Sequence, residues 1–257
     1  MQLSMDPARW LITPRPKPDA RVRLFCLPFA GGAASAYRSW GDLMGPDVEV
    51  TAVQLPGREM RLREPAYDRV EPLVTALADV LEAAPERRPY AVFGHSMGAL
   101  IAFELVRELR RRGRPLPVAM VASGRNAPHL PPRDPLMHPL PHDEFVDRLR
   151  RFEGTPAAVL EHQELMEMLV PLLRADFAVN EAYTHRPEAT LDLPLLAMGG
   201  ADDVEATPDG IAEWSAYTTG PFELKIYPGG HFFLNPLAAE VTQAVRGAIR
   251  SAMGTPV

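Results

Sequence analysis

Gly94-His95-Ser96-Met97-Gly98 has the spacing of a serine held for nucleophilic attack. The run Tyr90-Ala91-Val92-Phe93 leads into it, and a helical apolar pattern follows at once. Strand, sharp turn and helix is the context in which Gly-x-Ser-x-Gly presents a hydroxyl at a strand end. A serine hydroxyl is a weak nucleophile at its own pKa, so it needs an imidazole within reach. Glycines on both flanks remove the side chains that would crowd so strained a turn. Glycine and serine are abundant residues, so the pentapeptide alone is modest support. The chemistry requires an acid and then a histidine further along the chain, each just past a strand.

Both follow in that order. Leu193 to Met198 is an apolar run that ends in Gly199-Gly200-Ala201-Asp202-Asp203. An aspartate past a late strand orients the histidine and stabilises the imidazolium as it forms. Asp203 is the expected acid, with Asp202 one residue away. Either aspartate also fits a helix cap or a turn after glycines. Next, Phe222 to Tyr227 alternates as a strand and leads to Pro228-Gly229-Gly230-His231-Phe232-Phe233. Behind two glycines, His231 sits on a tight loop from which its ring can reach the serine.

An oxyanion site completes the chemistry. The apolar strand Val22 to Leu27 runs into Pro28-Phe29-Ala30-Gly31-Gly32-Ala33-Ala34. With a serine on such an elbow, one oxyanion-binding N–H comes from the loop after an early strand. The other comes from the residue following the nucleophile. The donors expected here are the backbone N–H groups of Ala30 and Met97. A plain strand-to-helix turn is the alternative for the first loop.

These groups must be positioned by a scaffold, and the chain alternates strands with helices. Strand patterns cover Val22–Leu27, Glu49–Leu55, the run before the elbow, Val118–Ser123, Leu193–Met198 and Phe222–Tyr227. Helical spacing covers Val70–Ala84 and Met97–Arg112. Such alternation predicts an α/β fold with a mostly parallel sheet and helices on both faces. At 257 residues with 46% hydrophobic content the chain suits a single domain spanning residues 1–257. A net charge of -6 argues against nucleic acid as a partner. Met1 to Asp19 is polar and proline-rich, and no early apolar run suggests a membrane span or secretory signal. The single cysteine, Cys26, falls in a strand and reads as a small core residue. A cytoplasmic location is expected, with no metal and no cofactor held by the chain.

The alternation breaks between about residues 127 and 187. After the proline-rich stretch Pro128–Pro141 come helical patterns at Asp143–Phe152, Pro156–His162 and Leu165–Ala182, an inserted lid over the catalytic edge. Met166, Leu169, Leu173 and Phe177 form an apolar stripe. It suits packing of the lid onto the body, with an acyl chamber as the alternative. Arg107, Arg110, Arg111, Arg112 and Arg114 cluster at the end of the helix after the elbow. With Arg148, Arg150 and Arg151 they read as a solvated face, or as a surface for an acidic partner.

From Val22 to about Ala252 the chain resembles the stand-alone type II thioesterases of polyketide and nonribosomal peptide assembly, which are α/β-hydrolases. The resemblance rests on the elbow together with Leu27-Pro28-Phe29-Ala30-Gly31-Gly32, Gln54-Leu55-Pro56-Gly57-Arg58-Glu59 and Ser123-Gly124-Arg125. Gly154-Thr155-Pro156, Leu173-Arg174-Ala175-Asp176-Phe177 and Gly229-Gly230-His231-Phe232-Phe233-Leu234 extend it. The family's nucleophile, base and acid fall on Ser96, His231 and Asp203. Val204 stands where proline often follows the acid. Phe152-Glu153-Gly154 replaces a more usual leucine-glycine-glycine.

The resemblance implies an acyl or peptidyl thioester on the phosphopantetheine arm of an acyl or peptidyl carrier protein. It implies hydrolysis that clears stalled or misprimed carriers. Phosphopantetheine then belongs to the partner, and a monomer is the expected state. Alternatives are an acyl-CoA or fatty-acyl thioesterase, a thioesterase that releases one dedicated intermediate, and a non-catalytic scaffold with this fold.

Overall fold

Parallel strands covered on both faces need near-continuous apolar runs, and the runs noted above supply them. The computed structural model describes residues 5–84, 88–131, 136–150 and 162–254. Its strands are β1 (Leu11–Ile12), β2 (Val22–Leu27), β3 (Val48–Val53), β4 (Tyr90–His95), β5 (Met120–Ser123), β6 (Leu195–Gly200) and β7 (Phe222–Tyr227). They form one sheet in the order β1-β3-β2-β4-β5-β6-β7. Strands β2 to β7 pair in parallel, and β1 alone is antiparallel, with Leu11 opposite Val53.

The helices are α1 (Pro7–Trp10), α2 (Trp40–Leu43), α3 (Val70–Ala83), α4 (Met97–Arg111), α5 (His142–Leu149), α6 (Gln163–Glu181), α7 (Pro208–Ala212) and α8 (Ala238–Ala252). Successive strand side chains face opposite sides of the sheet. Phe25 and Leu27 therefore join one core, with Leu73 and Leu77 of α3 and Leu100 and Val106 of α4. Leu24 and Cys26 join the other, with Trp40 of α2 and Val241, Val245 and Ile249 of α8. Cys26 is fully enclosed, and burial pushes its thiol well above the usual range. Among the described residues no helix is long and apolar enough to cross a membrane.

The expected strands and helices of the body lie in place, with ends shifted by a residue or two. The N-terminal segment holds more order than its composition suggests. Asp6 caps α1 by accepting the Ala8 N–H at 3.0 Å, and β1 then extends the sheet edge.

Between β5 and β6 the described part of the insertion consists of α5, α6 and the segments beside them. Helix α5 ends at Leu149, short of the expected Phe152. The helix expected at Pro156–His162 lies outside the described residues apart from His162, which caps α6 by accepting the Leu165 N–H. The apolar stripe packs the insertion upon itself. Met166 and Leu173 cluster with Met137, Phe145, Leu149 and Val170, with Leu169 and Phe177 against them. Phe177 meets Phe145 edge-on at 5.9 Å.

The arginine cluster is neutralised within the chain. Arg107, 2% exposed, pairs with Glu104 at 2.5 Å and Glu188 at 2.8 Å. Arg110 and Arg111 share Glu188, Arg112 binds Asp79, Glu82 and Glu108, and Arg114 binds Glu82. Burial pushes the Glu188 carboxyl up, but the hydrogen bonds from Arg107 and Arg110 outweigh it and hold the group below the usual range. Residues after α6 thus return onto α4 through ion pairs: Arg107 is buried among them, while Arg111 and Arg114 remain on an exposed face, as expected for a solvated one.

Candidate active site

Ser96 stands between β4 and α4 with φ 55° and ψ -117°, a left-handed backbone that a non-glycine residue rarely takes. Such a conformation costs roughly 1–3 kcal/mol and persists only where its surroundings hold it. They hold it closely. The Ser96 N–H donates to the Ser123 carbonyl of β5 at 2.8 Å. A side chain on Gly94 would overlap the Gly98 carbonyl, and one on Gly98 would overlap the Leu27 carbonyl. Two residues without side chains therefore let the first turn of α4 fold against its own strand and against the end of β2.

The same approach brings the start of α4 to the loop after β2. Met97 opens α4, so its N–H has no partner within the helix. Ala30 lies on the β2 loop, whose Gly32 N–H closes a turn onto the Phe29 carbonyl at 2.8 Å.

Asp203 and His231 meet across the ends of β6 and β7. The His231 Nδ1–H donates to Asp203 Oδ2 at 2.8 Å. A carboxylate only accepts, so this bond fixes the proton on Nδ1 and leaves Nε2 as the basic nitrogen. Asp203 Oδ1 accepts the N–H groups of Glu205 at 2.8 Å and Ala206 at 3.1 Å, so both oxygens are engaged. Asp203 is 4% exposed. Asp202 is exposed and contributes its backbone, donating its N–H to the Gly229 carbonyl at 3.0 Å. That bond, and the Ala201 N–H to the Tyr227 carbonyl at 2.7 Å, tie the acid-bearing and histidine-bearing loops together.

His95 links the two halves. Its ring centroid lies 5.0 Å from that of His231, and Phe29, Phe232 and Phe233 pack around it. The residue beside Ser96 is thus in contact with the His231 ring. His95 Nδ1 is 3.0 Å from Ser123 Oγ. Burial, and after it the proximity of His231, hold the His95 imidazole well below the usual histidine range. His95 is therefore a neutral aromatic floor to the site, a role that the x position of Gly-x-Ser-x-Gly does not announce.

Two arginines of the stretches noted in the sequence find their partners only in three dimensions. Arg58, after β3, sends Nη2 to Asp176 Oδ1 at 2.7 Å and Nη1 to Asp176 Oδ2 at 3.0 Å. These residues lie 118 positions apart, in two stretches noted separately in the sequence. Arg125, past β5, reaches Asn180 Oδ1 on α6, and burial pushes its guanidinium down to about 10. Among the described residues no group of three or more His, Cys, Asp or Glu side chains gathers as a metal site. Val204, in place of a proline after the acid, is 76% exposed and touches none of this.

The family model described as the thioesterase domain matches residues 22–251. The chain is 39% identical over 254 residues to Thioesterase PikA5 of Streptomyces venezuelae, covering 99% of this chain and 90% of that protein. The solved RedJ thioesterase from the prodiginine biosynthetic pathway of Streptomyces coelicolor superposes with a TM-score of 0.85 at 40% identity, over 92% of this chain and 89% of that one. The type II thioesterase BorB from the borrelidin biosynthetic cluster gives a TM-score of 0.85 at 36% identity, over 97% of this chain and 100% of that one.

Proposed function

The chain belongs to the thioesterase family and has the α/β-hydrolase fold, and on that premise we propose that it removes acyl groups from the phosphopantetheine arms of carrier proteins. In this reading Ser96 is the nucleophile, His231 the base and Asp203 its orienting acid. The N–H groups of Ala30 and Met97 hold the oxyanion. The observation that carries the reading is the 2.8 Å bond from His231 Nδ1 to a buried Asp203, beside a serine held at φ 55°.

Each step follows from these assignments. His231 Nε2 takes the Ser96 proton as Oγ attacks the thioester carbonyl, and the carbonyl electron pair moves to oxygen. The Ala30 and Met97 N–H groups meet the charge that develops there, where each donor is worth about 3–4 kcal/mol. Collapse breaks the C–S bond, and the departing pantetheine sulfur takes the proton from His231. Water then enters, gives a proton to Nε2 and attacks the acyl-serine. The second collapse frees the carboxylic acid and restores Ser96. Side chains and backbone suffice for this chemistry, and phosphopantetheine arrives with the carrier.

The biological reading is editing, in which carriers blocked by a wrong acyl group are returned to use. Likeness to BorB, a type II thioesterase, supports it over release of one finished product. The test is hydrolysis of an acylated holo carrier, followed by mass spectrometry of both proteins. Wild type should free the carrier and pass through an acyl adduct on Ser96. Ser96→Ala should leave the carrier acylated while melting at the wild-type temperature. Full release by that variant would overturn the reading.

A further inference from the structure

Helix α6 of the insertion is bonded directly to the loop that carries Ala30. Asp176 Oδ2 accepts the Gly31 N–H at 2.7 Å. The same carboxylate pairs with Arg58, whose Nη1 also donates to the Gly32 carbonyl at 2.9 Å. Gln54 adds a third tie, accepting the Ala34 N–H at 3.0 Å and donating to the Arg58 carbonyl at 3.1 Å. Arg58 is 4% exposed and Asp176 2%. Leu173, one turn before Asp176, closes over the loop, and a Cβ on Gly31 would stand 2.6 Å from its Cδ2. Gly31 has φ +74°, so glycine alone suits both the backbone and the space.

We propose that Asp176 and Arg58 are positioning residues for the oxyanion site, and that they make its shape depend on the seat of α6. The inference rests on the assignment of Ala30 as an oxyanion donor made above. A trans peptide sets N–H opposite the preceding C=O. The Phe29 carbonyl is fixed by the Gly32 N–H, so the Ala30 N–H is aimed the other way. The next peptide, ending in the Gly31 N–H, is fixed by Asp176. Both peptide planes around Ala30 are therefore held, one from within the loop and one from α6. The Ala30 N–H lies in the first plane and the second braces Ala30 from its other side, so a displacement of α6 that broke the Asp176 bond would leave the donor held from within the loop alone. Deacylation and acylation both develop charge on the same oxygen, so both steps depend on the clamp.

The test is kinetic, with Asp176→Asn and Arg58→Lys measured separately in the full chain. Each replaces a bidentate charged pair with a weaker contact of similar size. Removing an oxyanion donor costs about 100–1,000-fold in kcat, so loosening one should cost about 10–100-fold, with KM moving less than about twofold. An acyl trifluoromethyl ketone, which places an oxyanion on the same donors, should lose affinity by the same factor. Melting curves identify any variant that does not fold. In wild type the Gly31 amide should exchange as slowly as the buried turn of α6, which tests the bond without substitution.

Folded variants with unchanged kcat, a loss confined to KM, or fast exchange at Gly31 would each overturn the clamp. Wild type that forms no ketone adduct on Ser96 would overturn the catalytic assignment beneath it, and the clamp with it.

Discussion

His231 donates its Nδ1 proton to Asp203 at 2.8 Å, while Asp202, the adjacent carboxylate, faces solvent and holds the histidine loop through its backbone. Two neighbouring aspartates thus divide the work. Asp203→Asn should reverse the favoured tautomer of His231 and lower kcat about 1,000–10,000-fold. Asp202→Asn should change kcat by less than about twofold, because its carboxylate meets nothing in the site. Steady-state hydrolysis of one acyl carrier by the two variants decides between them. Equal losses would return the acid to doubt.

The elbow makes a prediction about shape. Gly98→Ala would press a methyl into the Leu27 carbonyl, backbone against side chain with no flexible group to yield. It should destabilise the fold by about 3 kcal/mol or more and depress activity with it. Gly247, within α8, has nothing within 4 Å of its would-be Cβ. Gly247→Ala should therefore stabilise by about 0.5–1 kcal/mol. Urea unfolding of the pair is the check, and similar effects at both sites would contradict the packing described here.

His95 predicts how stability changes with pH. Its folded pKa is depressed by burial and by His231, whereas the unfolded chain takes up that proton near pH 6.5. Between the two values the unfolded state binds more protons, so stability is full above about pH 6.5 and falls as pH drops. One group contributes a slope of up to about 1.4 kcal/mol per pH unit. His185, also depressed, first by burial and then by Arg107, adds to the same window. His95→Gln should flatten the stability profile between pH 6.5 and 5 and leave the His185 share. Parallel profiles would contradict a neutral buried His95.

The ion-pair network on α4 separates buried from exposed charge. Arg107→Ala leaves Glu104 and Glu188 without their buried partner and should cost about 3–5 kcal/mol. Arg114, with its side chain 52% exposed and paired only at the rim, should cost less than about 1 kcal/mol when replaced by alanine. Thermal melts of the two variants test this directly. Arg114 already has Glu82 as its partner within the chain, so Arg114→Ala should also leave the KM for an acyl carrier unchanged.

What could be read from the sequence was local. The apolar runs of β2, β4 and β6 announce themselves because strands buried in such a sheet need them, whereas β7, at the sheet edge, shows itself by alternation. The glycines before Ser96, Asp203 and His231 mark the turns that follow. Strand β1 was not legible, because Leu11 and Ile12 are too short a run to carry a period and gain their place only by pairing with β3. The pairing of Arg107, Arg110 and Arg111 was not legible because their shared partner Glu188 lies 77 to 81 residues beyond them, and nothing in the sequence folds it back. Arg58 and Asp176 were visible as parts of family stretches, but their bond belongs to the tertiary fold. His95 fills an unspecified position of the motif, and its contacts with Phe29, His231, Phe232 and Phe233 arise only in the fold.

The most direct test of the account offers one short acyl group to the wild-type enzyme on a holo carrier protein and, separately, on coenzyme A. Both thioesters present the same carbonyl to Ser96, so any difference measures contact with the carrier itself. If the carrier is recognised, kcat/KM should be at least about tenfold higher for it, a difference of about 1.4 kcal/mol or more. Equal values, or a preference for the coenzyme A ester, would leave a serine thioesterase and contradict its assignment to carrier proteins.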